Sequence, residues 1–165
     1  MKGIYTLIIN LPKSTRIKIG KMGSFFFKEG TYLYIGSALG QGSSSLEGRI
    51  RRHIKIEKKA FWHIDYFLKS NMVRITHLML ATSTTDLECK IVKRMEKNLY
   101  VSIPVEKFGS SDCRCLAHFF KIKDSNVNLL DNLEKIFLEF ELSPKLIKSV
   151  RTSKSELSFV ESIVY

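Results

Sequence analysis

The stretch that ends at Gly36 constrains the fold of this chain more than any other. Residues 3–11 (GIYTLIINL) and 31–36 (TYLYIG) are dense in β-branched and aromatic side chains, types that are stiff at χ1 and pack well on a pleated surface. Pro12 stops the first run, because proline cannot donate to a ladder. Two shorter runs of similar character, 16–20 and 23–29, lie between, and Gly30 supplies a turn or bulge before the last. Together they predict a mostly antiparallel sheet at this end of the chain.

The Gly- and Ser-rich residues 37–45 (SALGQGSSS) form a loop, after which Leu46, Ile50 and Ile54 follow a four-residue step. That spacing predicts a helix from Leu46 to roughly Lys59, capped by Ser44 or Ser45. Its other face carries Arg49, Arg51, Arg52, Lys55, Lys58 and Lys59. A short helix over 61–70, a strand over 73–81, a helix over 85–99 and strands near 100–105 and 117–122 follow. From Asp124 the apolar positions Leu129, Leu133, Ile136, Phe137 and Phe140 have helical spacing, and Pro144 interrupts before another amphipathic run. The expected class is α+β: an α/β-type small domain whose central, mostly antiparallel sheet is flanked by helices, followed by a helical C-terminal extension.

Composition narrows the partners. At 165 residues the chain fits one domain that needs no disulfide to stay folded. It carries 27 Lys and Arg against 16 Asp and Glu, a formal net charge of +11. Residues 1–60 hold a net +9, 61–123 a net +4 and 124–165 a net −2. A basic N-terminal two-thirds is the footprint of a protein that meets phosphate backbones, although a lysine-rich soluble surface has the same composition. Three cysteines do not make a secreted disulfide framework, and no leader pattern opens the sequence. No stretch approaches the roughly 20 apolar residues of a membrane span. A cytoplasmic protein with reduced thiols and no membrane partner is the expectation.

Two tripeptides, Gly3-Ile4-Tyr5 and Tyr34-Ile35-Gly36, fall on separate strands, and the basic helix that follows carries Arg49 and His53 in Arg-x-x-x-His spacing. Glu88 lies on a later helix. Singly these are common strand aromatics and helix-surface charges; in this order the chain resembles the GIY-YIG nuclease superfamily. The stretches YLYIGSA (32–38), RIRRH (49–53), FWHIDYF (61–67), LEC (87–89) and FGSSDCRCLAHF (108–119) carry a closer likeness over about residues 1–123. It is to a largely archaeal branch of that superfamily, some members of which are fused to endonuclease III-like repair proteins. The superfamily usually leaves a short loop between its tripeptides, whereas 28 residues separate Tyr5 from Tyr34 here. The resemblance therefore implies a nuclease domain over 1–123 with a hairpin inserted at about 12–30, and leaves 124–165 as an added tail.

Hydrolysing a phosphodiester needs a nucleophilic water, charge beside the phosphoryl oxygens and help for the leaving oxygen. The resemblance implies a DNA endonuclease of repair or recombination that depends on Mg²⁺ or Mn²⁺. Glu88 would be the cation's ligand, Arg49 a bidentate phosphate contact, and Tyr5 the group that orients or deprotonates the water beside Tyr34. Tyrosine has an unperturbed pKa of about 10, so Tyr5 needs a nearby cation or metal-bound hydroxide to share the proton. His53 is a candidate for proton transfer or phosphate holding, and Arg51, Arg52, Lys55, Lys58 and Lys59 are candidate nucleic-acid contacts. His63 and Asp65 point about 200° apart on a helix, which argues against one shared pocket. Two other readings stand: a non-catalytic nucleic-acid-binding module on the same scaffold, and a zinc-stabilised adaptor domain. The tail's apolar spacing offers a face for a homodimer or a protein partner.

Cys113-x-Cys115-x-x-His118 places two thiols and an imidazole within six residues, and Cys89 adds a fourth donor from the preceding helix. Four such donors suit a closed tetrahedral zinc site; the alternative is small, buried apolar residues. Glu88 and Cys89 are helix neighbours pointing about 100° apart, so a catalytic ion and zinc would occupy different sides.

Overall fold

The structure, a computed structural model, describes residues 1–123 and 128–148. Its strands are β1 (Gly3–Leu11), β2 (Thr15–Lys18), β3 (Ser24–Phe27), β4 (Gly30–Ala38), β5 (Arg74–Thr82), β6 (Val101–Ser102), β7 (Phe119–Ile122) and β8 (Lys145–Lys148). Six of them form one antiparallel sheet in the order β6-β7-β4-β1-β5-β8, while β2 and β3 pair as a separate hairpin. β1 lies between β4 and β5 and is buried along almost its whole length. A strand covered on both faces reads as a near-continuous apolar run, and residues 3–11 are apolar apart from Thr6 and Asn10.

The pleat sends Tyr5, Leu7, Ile9 and Leu11 into one core layer and Ile4 and Ile8 into the other. The first layer is covered by α1 (Leu46–Ile54), α2 (His63–Leu68) and the β2–β3 hairpin. The second is covered by α3 (Glu88–Asn98) and α4 (Leu129–Glu139). Helices thus flank both faces of an antiparallel sheet, the α+β architecture expected. Among the described residues no helix is long and apolar enough to cross a membrane.

α1 begins where Ser45 Oγ accepts from the Gly48 N–H at 3.1 Å, and it buries Leu46, Ile50 and Ile54. It stops at Ile54, short of the end near Lys59 that its charge run suggests. Lys55 leaves helical geometry (ψ 123), and the Lys58 ammonium folds back to donate to the carbonyls of Arg52 and His53 at 2.7 and 3.3 Å. Those bonds satisfy carbonyls that the helix end leaves open.

The described part of the tail, residues 128–148, joins the same body. α4 packs on α3 and buries Leu133, Ile136 and Phe137, so its apolar spacing is used in this chain's own core. The expected second helix after Pro144 is corrected: Lys145–Lys148 is β8, which pairs with β5 from Leu80↔Lys145 to His77↔Lys148. Proline blocks helix propagation, and the open edge of β5 offers backbone partners instead. Residues 124–127 and 149–165 of the expected extension lie outside the described residues.

Candidate active site

The pocket arises where the sheet's pairing gives out. β7 pairs with β4 only over Tyr32–Tyr34, after which Ile35 N–H makes one more bond, to His118 O at 3.0 Å. Beyond it, the loop carrying Gly109, Ser111 and Asp112 faces β4 across a cavity of about 370 Å³. Two glycines make room. A Cβ on Gly36 would fall on the Tyr5 hydroxyl, and one on Gly109, whose φ is +77°, would strike the Tyr34 ring. Tyr5 from β1, Tyr34 from β4, Arg49 from α1 and Glu88 from α3 all line this cavity. His53 does not line it but lies behind Tyr5, fully buried, with Nε2 at 2.7 Å from Tyr5 Oη.

Burial sets the charge states here. It pushes the Tyr5 phenol well above its ordinary value; Tyr34 and Glu88 add to that rise, while Arg49 opposes it. Tyr34 is raised for the same first reason, with Glu88 next. Burial, then the Lys58 charge, holds the His53 imidazole down to about 3. Its ring is therefore neutral near pH 7, one nitrogen donating and the other accepting. Nδ1 has no hydrogen-bond partner among the described residues. The Arg49 and Arg52 guanidinium groups each lie 4.7 Å from the Trp62 ring centre, within cation–π range.

Asp65 organises the cations around this helix. It is fully buried, takes Arg52 Nη2 on Oδ2 at 2.7 Å and Lys58 Nζ on Oδ1 at 3.0 Å. Its Oδ2 also accepts the N–H groups of Phe61 and Trp62 at 3.0 and 3.1 Å, closing the start of α2. Arg52 and Lys58, read from sequence as nucleic-acid contacts, are thus held in ion pairs. Arg51, Lys55 and Lys59 are exposed. His63 goes elsewhere: it lines the cavity, and its Nδ1 accepts the Gly109 N–H at 3.1 Å.

Glu88 has a neighbour on each oxygen. Oε2 accepts from Ser37 Oγ at 2.6 Å, and Oε1 lies 2.8 Å from His118 Nδ1. The other His118 nitrogen is 3.3 Å from Cys113 Sγ and 3.9 Å from Cys89 Sγ. The donor atoms of Cys89, Cys113, Cys115 and His118 all lie within 4.8 Å of one another, a cluster that could hold a metal ion. Burial opposes a charge on His118, but the Glu88 carboxylate beside it holds the imidazole above its ordinary value. Burial raises the Cys89 and Cys115 thiols, whereas the Cys115 N–H and other neighbours pull Cys113 down against its own burial. Lys107 braces the cysteine loop, its ammonium donating to the carbonyls of Cys113 and Cys115 at 3.3 and 3.1 Å.

Sequence reasoning missed Ser37, Phe61 and Trp62 as site residues. Ser37 follows the second tripeptide directly, and Trp62 is the sole tryptophan of the chain; both were signals of a kind. A family model described as "Domain of unknown function DUF123" matches residues 4–142. No curated protein and no solved structure matches the chain.

Proposed function

The chain belongs to the DUF123 family, and we propose that it is a divalent-metal-dependent endonuclease that hydrolyses phosphodiester bonds in DNA at a GIY-YIG-type site. One observation carries this reading: Tyr5, Tyr34, Arg49 and Glu88, from four separate elements, line a single cavity of about 370 Å³. Arg49 presents a planar fork suited to a phosphate, and its Nε is without a hydrogen-bond partner among the described residues. Glu88 would hold Mg²⁺ or Mn²⁺, hard cations that prefer oxygen. Bound there, such an ion would offset charge on the phosphoryl oxygens and acidify a water. Tyr5 would orient that water, its hydroxyl held in place by His53 Nε2 at 2.7 Å. Exposed Arg51, Lys55 and Lys59 meet the flanking backbone.

In the same reading the Cys₃His cluster holds structural zinc. Three thiolates and one imidazole leave no open coordination position. Zinc arms of about 2.0–2.3 Å imply donor separations of roughly 3.3–3.8 Å, close to the distances from His118 Nε2 to Cys113 and Cys89.

A second reading, the non-catalytic binding module, is favoured by one fact: both Glu88 oxygens already have partners in Ser37 and His118. Cleavage of plasmid, forked, flapped and single-stranded DNA with Mg²⁺ or Mn²⁺ separates the two. The nuclease reading expects cleavage by the parent and none by Glu88→Gln, with binding changed only a few-fold. Salt-dependent binding with no cleavage on any substrate supports the module.

A further inference from the structure

The acting groups of the pocket are deep. Tyr5 is 1% and Tyr34 8% exposed, and the cavity above them holds about 370 Å³. That is near the lower end of small-ligand pockets, roughly 300–1,000 Å³. A continuous duplex cannot enter such a space, because its phosphates lie on a broad rod of stacked pairs. A single nucleotide that has left the stack can.

Phe61 is placed to receive it. It lines the cavity yet is 77% exposed, the most exposed large apolar residue among those described. The neighbouring Trp62 ring is committed to Arg49 and Arg52. Phe61 meets Trp62 in a T-shaped contact, at 6.1 Å and 75°, and still keeps most of its surface in solvent. Nor is Phe61 on a loose segment: its N–H is bonded to the buried Asp65 carboxylate, which Arg52 and Lys58 hold in turn. An exposed aromatic on the lining of a cavity that also holds Arg49 presents a flat apolar face beside a phosphate contact.

We propose that Phe61 is a stacking platform for an unpaired nucleobase, so that the pocket takes a single-stranded or extruded nucleotide whose phosphate meets Arg49. This rests on the nucleic-acid reading above and names its substrate class. Every base has a π-face, so the platform is tolerant of sequence. Selectivity lies instead between unpaired and paired strands.

The test is binding by the full chain, with no Mg²⁺ or Mn²⁺ added so that turnover is prevented, followed by fluorescence anisotropy. The probes are a single-stranded oligonucleotide, the matching duplex, and that duplex carrying a one-nucleotide 2-aminopurine bulge. Phe61→Ala should weaken the single-stranded and bulged probes by about 5- to 100-fold and change duplex affinity less than about twofold, with Phe61→Trp restoring the loss. Parent protein should quench the 2-aminopurine, and Phe61→Ala should not. Equal losses on all three probes, no loss on any, or absent quenching by the parent would overturn the platform while leaving nucleic-acid binding in place. No salt-dependent binding of the parent to any probe would instead overturn the nucleic-acid reading, and this inference with it. Because the side chain is exposed, an unchanged melting curve for Phe61→Ala assigns any effect to the surface.

Discussion

His118 Nδ1 lies 2.8 Å from Glu88 Oε1 while its Nε2 lies 3.3 Å from the Cys113 thiol. One imidazole therefore touches both the carboxylate of the cavity and the cysteine cluster. With a metal on Nε2, Nδ1 keeps its proton, and a carboxylate 2.8 Å from that nitrogen steadies the ring and raises its strength as a ligand. Glu88→Gln should accordingly lower the cluster's zinc affinity by about 10- to 100-fold, the usual effect of losing such an outer partner. Competition against a chromophoric chelator measures it. Equal affinities for parent and variant would show that the cluster and the cavity are independent.

Zinc itself should be found at one ion per chain and should disappear in Cys113→Ser. A site that forms only in the folded chain adds its binding energy to folding. Ligand at about 1,000 times its dissociation constant stabilises by about 4 kcal/mol, worth roughly 8–16 °C in melting temperature at this size. Elemental analysis and thermal melts with and without chelator read both quantities. A parent that purifies without zinc and melts unchanged in chelator would leave the thiols as core residues.

What the sequence made legible had local causes. The four-residue step of Leu46, Ile50 and Ile54 lies on one buried helix stripe, and the mostly apolar run of β1 records a strand covered on both faces. The end of α1 was not legible, because residues 55–59 are mostly good helix formers; what bends them is Lys58 reaching Asp65 on another element. The same ion pair takes Lys58 off the charged face on which a helical wheel puts it. At Pro144 the break is local, but the strand after it exists because β5, far upstream, has an edge to fill. In the site, residue types were readable from two tripeptides. That Ser37 and His118 would both close on Glu88 depends on how α3 and the cysteine loop pack.

The basic residues should divide into two kinds when substituted. Arg51→Ala, Lys55→Ala and Lys59→Ala alter exposed side chains, so each should leave stability nearly unchanged and lower the salt slope of DNA binding by about one. Lys58→Ala removes a partner of an Asp65 side chain with no solvent exposure. Breaking a buried pair costs about 3–5 kcal/mol; Arg52 stays in place, so the low end is expected, read by urea denaturation. A Lys58→Ala protein as stable as the parent, with a reduced salt slope, would return Lys58 to the binding face.

Acid should expose the state of His53. An unperturbed histidine titrates near 6.5, whereas in the fold this buried ring is held down to about 3. Between those values the unfolded chain carries a proton that the folded chain lacks, so unfolding is favoured as pH falls through that window. Above it neither state is protonated and this residue adds no pH dependence. The limiting slope is about 1.4 kcal/mol per pH unit, approached once the unfolded ring is mostly protonated. His53→Gln keeps a polar group near Tyr5 Oη but cannot titrate. At neutral pH the variant should be less stable than the parent, since the Tyr5–His53 bond is replaced by a poorer fit. Going from about pH 5.5 to 4.5, the parent should lose about 1 kcal/mol more than the variant, so the gap between them narrows. Groups elsewhere that titrate in this range are common to both proteins and cancel in the difference. Urea denaturation at the three pH values measures it. Parallel profiles would mean that His53 keeps its ordinary pKa in the fold, and that the ring behind Tyr5 is open to protons.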